Sequence, residues 1–148
     1  MRYFLDTEFN GFGGDLISIA LVPEAEGAAP FYEAIDCPAP TPWVIEHVLP
    51  VLDTVPLPRS TVADRFADYL LDDPDPVLIA DWPEDIAHAC RLLVIGPGHM
   101  KPVRSIRFDL VDPDLVSSGR GGAVPHNAWH DATALRRDVL DYERRMAG

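Results

Sequence analysis

The sequence predicts a mixed α/β domain: a β-sheet covered by helices. Three observations predict it. Short β-favouring runs cluster near the start; two further apolar runs, at 76–81 and 105–111, alternate with helical stretches; and two long segments, 57–73 and 128–146, carry apolar residues at helical spacing. A chain of 148 residues, 47% of them apolar, is long enough for one well-buried core and too short for two ordinary domains. A single domain over 1–148 is therefore expected.

The run RYFL at 2–5, ending at Asp6, is the first strand. A glycine-rich turn, NGFGG at 10–14, leads into a second, LISIALV at 16–22, and FYEAI at 31–35 supplies a third. Short connections between them predict an antiparallel meander. CPAPTP at 37–42 cannot continue a sheet, and Pro42 starts a helix whose apolar positions Trp43, Val44 and Val48 end near Pro50. In 57–73, Ser60 or Thr61 is the expected N-cap, with Val62, Phe66, Tyr69 and Leu70 along one face. PVLIAD at 76–81 reads as a buried strand, and Pro83 then opens the helical stretch EDIAHACRLLVI, so Asp81 and Asp85 stand close to a strand-to-helix junction. SIRFDLV at 105–111 is the last expected strand. The segment SSGRGGAVPHN at 117–127 is too glycine-rich for regular structure and is expected to be mobile or to face substrate. The final helix, from about 128 to 146, turns Leu135, Val139 and Tyr142 towards a core.

The formal charge is −12, from 24 acidic and 12 basic side chains. This counts against a protein that grips a long duplex through its phosphates, but not against an enzyme that holds one or two terminal nucleotides, because bound cations can reverse the local potential. The start, MRYFLDTEF, lacks the apolar region of a signal peptide, and no segment reaches the roughly eighteen apolar residues of a membrane span; a cytoplasmic location without membrane partners is expected. Cys37 and Cys90 have no metal-binding spacing and are expected to be buried free thiols.

The chemistry-bearing residues are carboxylates. Asp6 and Glu8, two apart on a strand, point to the same side of the sheet. Side by side they repel and lose hydration, which a divalent cation would offset; the alternative is a strand end emerging into solvent. With Asn127 near an N-cap, Asp131 falls at the first turn of the last helix, where free N–H groups favour a carboxylate with or without a metal. Asp85 has the same two explanations. His126 precedes that last helix, either poised for chemistry or exposed and inert.

Taken together, these residues resemble a family. DTEF at 6–9 resembles the DxE motif of the DEDD 3′–5′ exonucleases; HNAWHDA at 126–132 resembles the last motif of their histidine-bearing subclass, a His followed five positions later by Asp; and IADWPEDIAHACRLL at 79–93 resembles the middle motif. The likeness is strongest to small bacterial 3′–5′ exoribonucleases. It implies a ribonuclease H-like mixed sheet flanked by helices, and two divalent ions, Mg²⁺ or Mn²⁺, held by Asp6, Glu8, Asp85 and Asp131. Asp81, directly after the strand and four residues earlier, competes with Asp85 for the middle position, and the aromatic or apolar residue usual before that Asp is Glu84 here; the helix register favours Asp85. It also implies His126 as the proton acceptor, the 3′ end of single-stranded RNA as substrate, nucleoside 5′-monophosphates as products, and a homodimer. Two metals about 4 Å apart suit such hydrolysis, one activating water and the other stabilising the leaving oxygen.

Phe9 and Trp82 are candidates to stack on terminal bases, with core packing as the alternative, and Asn10 is a candidate to bind ribose or phosphate, with a plain hairpin turn as the alternative. Lys101, Arg104, Arg107 and Arg120 are either phosphate contacts or solubilising charge. The rival functions are a DNA or short-oligonucleotide exonuclease using the same site, a non-catalytic nucleic-acid or protein-binding module, and a transposase or hybrid-cleaving nuclease of related fold.

Overall fold

A computed structural model describes residues 1–148. Its elements follow in the order β1 (Arg2–Phe9), β2 (Leu16–Pro23), β3 (Phe31–Ala34), α1 (Pro42–His47), a 3₁₀ turn (Leu49–Val51), α2 (Arg59–Leu71), β4 (Val77–Ala80), α3 (Pro83–Leu93), β5 (Val94–Gly96), β6 (His99–Met100), β7 (Arg107–Leu110), α4 (Pro113–Val116) and α5 (Ala128–Ala147). Five strands form one mixed sheet in the order β3-β2-β1-β4-β7. β1, β2 and β3 make the expected antiparallel meander, while β1–β4 and β4–β7 are parallel. β1 is therefore the central strand, shielded at both edges.

Alternation along β1 divides the core. Tyr3 and Leu5 join Leu78 and Ala80 under α2 and α3, against Val62, Phe66, Leu70, Ala89 and Leu92. Phe4 joins Ala20, Val22 and Ile79 on the other face, under Ala128, Ala132, Leu135 and Val139 of α5. A third cluster packs α1 through Val44 and Val48 against Ile17, Ala34 and Leu52. Since successive strand side chains point to opposite faces, Asp6 and Glu8 belong to the α5 side and Thr7 to the α3 side.

Several local expectations are corrected. α2 starts at Arg59, not after a Ser60 or Thr61 cap: the Pro58 carbonyl accepts from the backbone N–H groups of Thr61 and Val62, and no side chain caps the end. α3 stops at Leu93 instead of running to residue 95, because the β-branched pair Val94–Ile95 enters a hairpin with β6 that turns at Gly98, whose φ is +72°. Trp43 points outward, 48% exposed, while Val44 and Val48 carry α1's contact with the core. The glycine-rich stretch is laid along α5: Ser118 donates to Asp138 from N (3.2 Å) and Oγ (2.7 Å), Arg120 pairs with Asp141 (3.0 Å), and Arg137 donates to the Gly121 carbonyl. Both cysteines are free, but Cys90 is exposed and Cys37 half-buried. No helix is long and apolar enough to cross a membrane.

Candidate metal centre

Near the C-terminal end of β1 the sheet presents Asp6 and Glu8 towards the start of α5. That start is fixed by Asn127, whose Oδ1 accepts from the backbone N–H groups of Trp129 (3.0 Å) and His130 (3.2 Å). Its Nδ2 donates to the Val51 carbonyl (2.7 Å) and to the Tyr32 hydroxyl (3.3 Å), tying the helix to the 3₁₀ turn and to β3. Asp131 is thereby carried to β1, and one carboxylate oxygen from each of Asp6, Glu8 and Asp131 lies within 4.8 Å of the others. Asp131 is far from the other two in sequence; packing of α5 on β1 joins them.

The electrostatics of this triplet are unfavourable without a cation. Asp6 Oδ2 is shielded from solvent and has no hydrogen-bond partner. Burial, followed by the charges of Asp85, Glu8, Asp131 and Asp81, holds the Asp6 carboxyl far above the ordinary range. Burial and the charges of Asp131 and Asp85 push Glu8 up to about 8. Asp131 is also raised, chiefly by burial, although its Oδ2 accepts from the His126 backbone N–H at 3.0 Å. Few cationic side chains offset this: no Lys or Arg lines either cavity that meets at Asp6. The all-oxygen donor set and the orphaned Asp6 oxygen fit a hard divalent ion such as Mg²⁺ or Mn²⁺.

Asp85 is placed differently from the other three. It lies on α3, across the sheet, and its Oδ1 accepts from both Thr7 N (3.1 Å) and Thr7 Oγ1 (2.6 Å). It is 2% exposed, and burial pushes its carboxyl up to about 7 against the opposing pull of the Thr7 hydroxyl. Thus it stands outside the compact triplet, although among neighbouring charges it has the largest effect on Asp6. Asp81, at the end of β4, lines a cleft of about 270 Å³ with Asp6, Asp131 and Asp138, and burial raises its carboxyl too.

On the other side of Asp6 a groove of about 420 Å³ is lined by Glu8, Asp85, Phe9, Phe12, Trp43 and Trp82 among others. Phe9 rests against the His88 ring (centroids 4.9 Å apart), and Trp82 is 53% exposed with its Nε1 donating to Glu84 at 2.9 Å. Both side chains therefore border the groove rather than filling the core. Asn10 is occupied within the protein: its Nδ2 donates to the Ala39 carbonyl (2.9 Å) and its Oδ1 accepts from Thr41 N (2.8 Å), so the side chain locks the β1–β2 turn to the start of α1 instead of offering free groups to a ribose. Of the four cations considered from sequence, Lys101, Arg107 and Arg120 are paired with Asp64, Asp75 and Asp141. His126 lies beside the triplet in a left-handed conformation, φ +64°, and its ring packs against Trp43.

Sequence reasoning missed Thr7, Phe12, Trp43 and His47 as parts of this region. Alternation on β1 gives Thr7 its opposite face and was available as a signal. The exposure of Trp43 was not, since nothing local distinguishes a groove-lining Trp from a core one. In comparisons with known proteins, no family model and no curated protein matches this chain.

Proposed function

We propose that this protein is a metal-dependent 3′–5′ exonuclease on a ribonuclease H-like sheet, acting on RNA ends and releasing nucleoside 5′-monophosphates. The observation that carries the reading is the meeting of Asp6, Glu8 and Asp131 within 4.8 Å, with Asp6 and Glu8 also lining a groove that bears aromatic side chains. The chemistry that two bound Mg²⁺ or Mn²⁺ ions supply in such a site is activation of a water and neutralisation of charge on the phosphate and its leaving oxygen. Asp6, Glu8 and Asp131 would hold them, with Asp85 as a fourth carboxylate at the groove wall. The His126 ring nitrogens make no hydrogen bond within the protein, so one is free to accept the proton released by the attacking water. Phe9, Phe12 and Trp82 offer faces to unstacked bases, a mode of binding tolerant of base identity. RNA rather than DNA is chosen on the resemblance of the three motifs alone.

A second reading, preference for very short oligonucleotides, is favoured by the absence of Lys and Arg from the groove, which leaves little to hold a long phosphate backbone. One experiment tests both. Strands of RNA and DNA, from dinucleotides to long oligomers and labelled at either end, are incubated with pure protein in Mg²⁺, Mn²⁺ or EDTA. Stepwise loss from the 3′ end of RNA, abolished by EDTA and by Asp6→Asn, is expected. Undiminished hydrolysis by Asp6→Asn rejects the site, and faster turnover of dinucleotides selects the second reading.

A further inference from the structure

We infer that Trp43 and His47 of α1 form an aromatic clamp that sets the orientation of the His126 ring. The inference rests on the proposed hydrolytic role of His126 only for its consequence, not for its geometry. The two rings are stacked, with centroids 4.7 Å apart and planes 14° apart, and His47 Nδ1 lies 3.0 Å from the Trp43 carbonyl oxygen, fixing their mutual placement. His126 meets both edge-on: 4.9 Å and 79° to Trp43, 6.0 Å and 87° to His47. Perpendicular contacts of this kind are attractive and directional. They are also the contacts available to orient this ring, because its nitrogens bond to no protein group.

The backbone of His126 aims the side chain at the clamp. A residue with a Cβ pays a steric penalty at φ +64°, which the surroundings must offset; the Asp131 carboxylate does so in part by accepting the His126 N–H. The clamp is fixed to the opposite wall of the site. α1 has only six residues, but Thr41 caps it, and Asn10, two residues beyond Glu8, bonds Ala39 and Thr41 on either side of Pro40. The path Glu8, Asn10, Thr41, Trp43 therefore runs from the β1 carboxylates to His126 along the backbone, across the Asn10–Thr41 hydrogen bond and finally through a ring contact. Loop and strand, which meet at the carboxylates from opposite ends of the chain, are registered a second time through these rings. Trp43 and His47 are positioning residues in this arrangement, acting through His126.

Two measurements decide it. In NMR spectra, the His126 ring protons of the wild-type protein are displaced by the Trp43 ring current; Trp43→Leu should return them towards free-histidine positions, and Trp43→Phe should retain a displacement. Unchanged His126 signals in Trp43→Leu overturn the clamp. In metal-dependent hydrolysis of labelled RNA, Trp43→Leu should lower kcat by about ten- to a hundredfold with little change in KM, as expected for a misaimed proton acceptor, and should have no further effect in a His126→Ala background. A rise in KM that persists in that background overturns the positioning role and makes Trp43 a base-stacking surface. Absence of hydrolysis by the wild-type protein, with the ring-current displacement intact, rejects the hydrolytic reading and leaves the clamp standing.

Discussion

Asp6 concentrates the physical problem of the site in one atom, Oδ2, shielded from water and without a hydrogen-bond partner. Such groups cost stability unless a cation or proton satisfies them. Because burial and neighbouring carboxylates raise Glu8 from 4.5 to about 8, and hold Asp6 well above its ordinary 3.8, the folded metal-free protein binds more protons than the unfolded chain between about pH 4.5 and 8. By linkage, the stability that depends on Glu8 is present in full below about pH 4.5 and is lost as pH rises through about 8, and the raised Asp6 acts in the same direction. Thermal unfolding in EDTA should therefore show a falling Tm from pH 5 to 9, and Asp6→Asn should flatten the fall; a flat wild-type profile contradicts the strained triplet. Thr7 has the opposite role, donating twice to Asp85. Thr7→Val leaves Asp85 Oδ1 with one donor fewer in a buried place and should cost about 1–3 kcal/mol in urea unfolding.

At the scale of elements, the site is a junction between β1 and the N-terminus of α5, and the loop before α5 determines how Asp131 is presented. Gly122 lies against that carboxylate: a Cβ there would come within 2.3 Å of Asp131 Oδ1 and 3.1 Å of the His130 carbonyl. Gly122→Ala must therefore push Asp131 or the loop aside. A roughly tenfold loss in Mn²⁺ affinity is expected by calorimetric titration, the size of effect seen when groups that orient metal ligands are disturbed, with far-UV circular dichroism unchanged. Wild-type affinity in this variant would show that Asp131 does not hold the ion. The same loop illustrates the limits of composition as a guide. Its glycines suggest freedom, yet Ser118, Arg120 and Arg137 fasten it to α5 through tertiary contacts that no local pattern announces.

Across the whole molecule, the excess of acidic side chains and the uncompensated triplet predict a folded state that responds to divalent cations. Mg²⁺ or Mn²⁺ binding only to the folded chain should stabilise it by about 2.7 kcal/mol at a hundred times Kd, read as a rise in Tm that NaCl of equal ionic strength does not reproduce and that Asp6→Asn abolishes. An equal rise with NaCl would point to general screening instead.

Much of this architecture was legible beforehand. The meander, the strand–helix junction at 76–85 and the long terminal helix are local patterns of apolar spacing and proline placement, and they stand where the sequence puts them. So does the shared direction of Asp6 and Glu8, a consequence of strand alternation alone. Tertiary structure decided what those local patterns leave open: that Asp131 joins Asp6 and Glu8, that Asp85 approaches from across the sheet and bonds Thr7, and that Trp43 turns outward to His126. The physical reason is one of range. Periodicity and caps are settled by neighbours a few bonds away, whereas the partner of a side chain depends on which face of β1 each distant helix covers, and that depends on how the whole core packs.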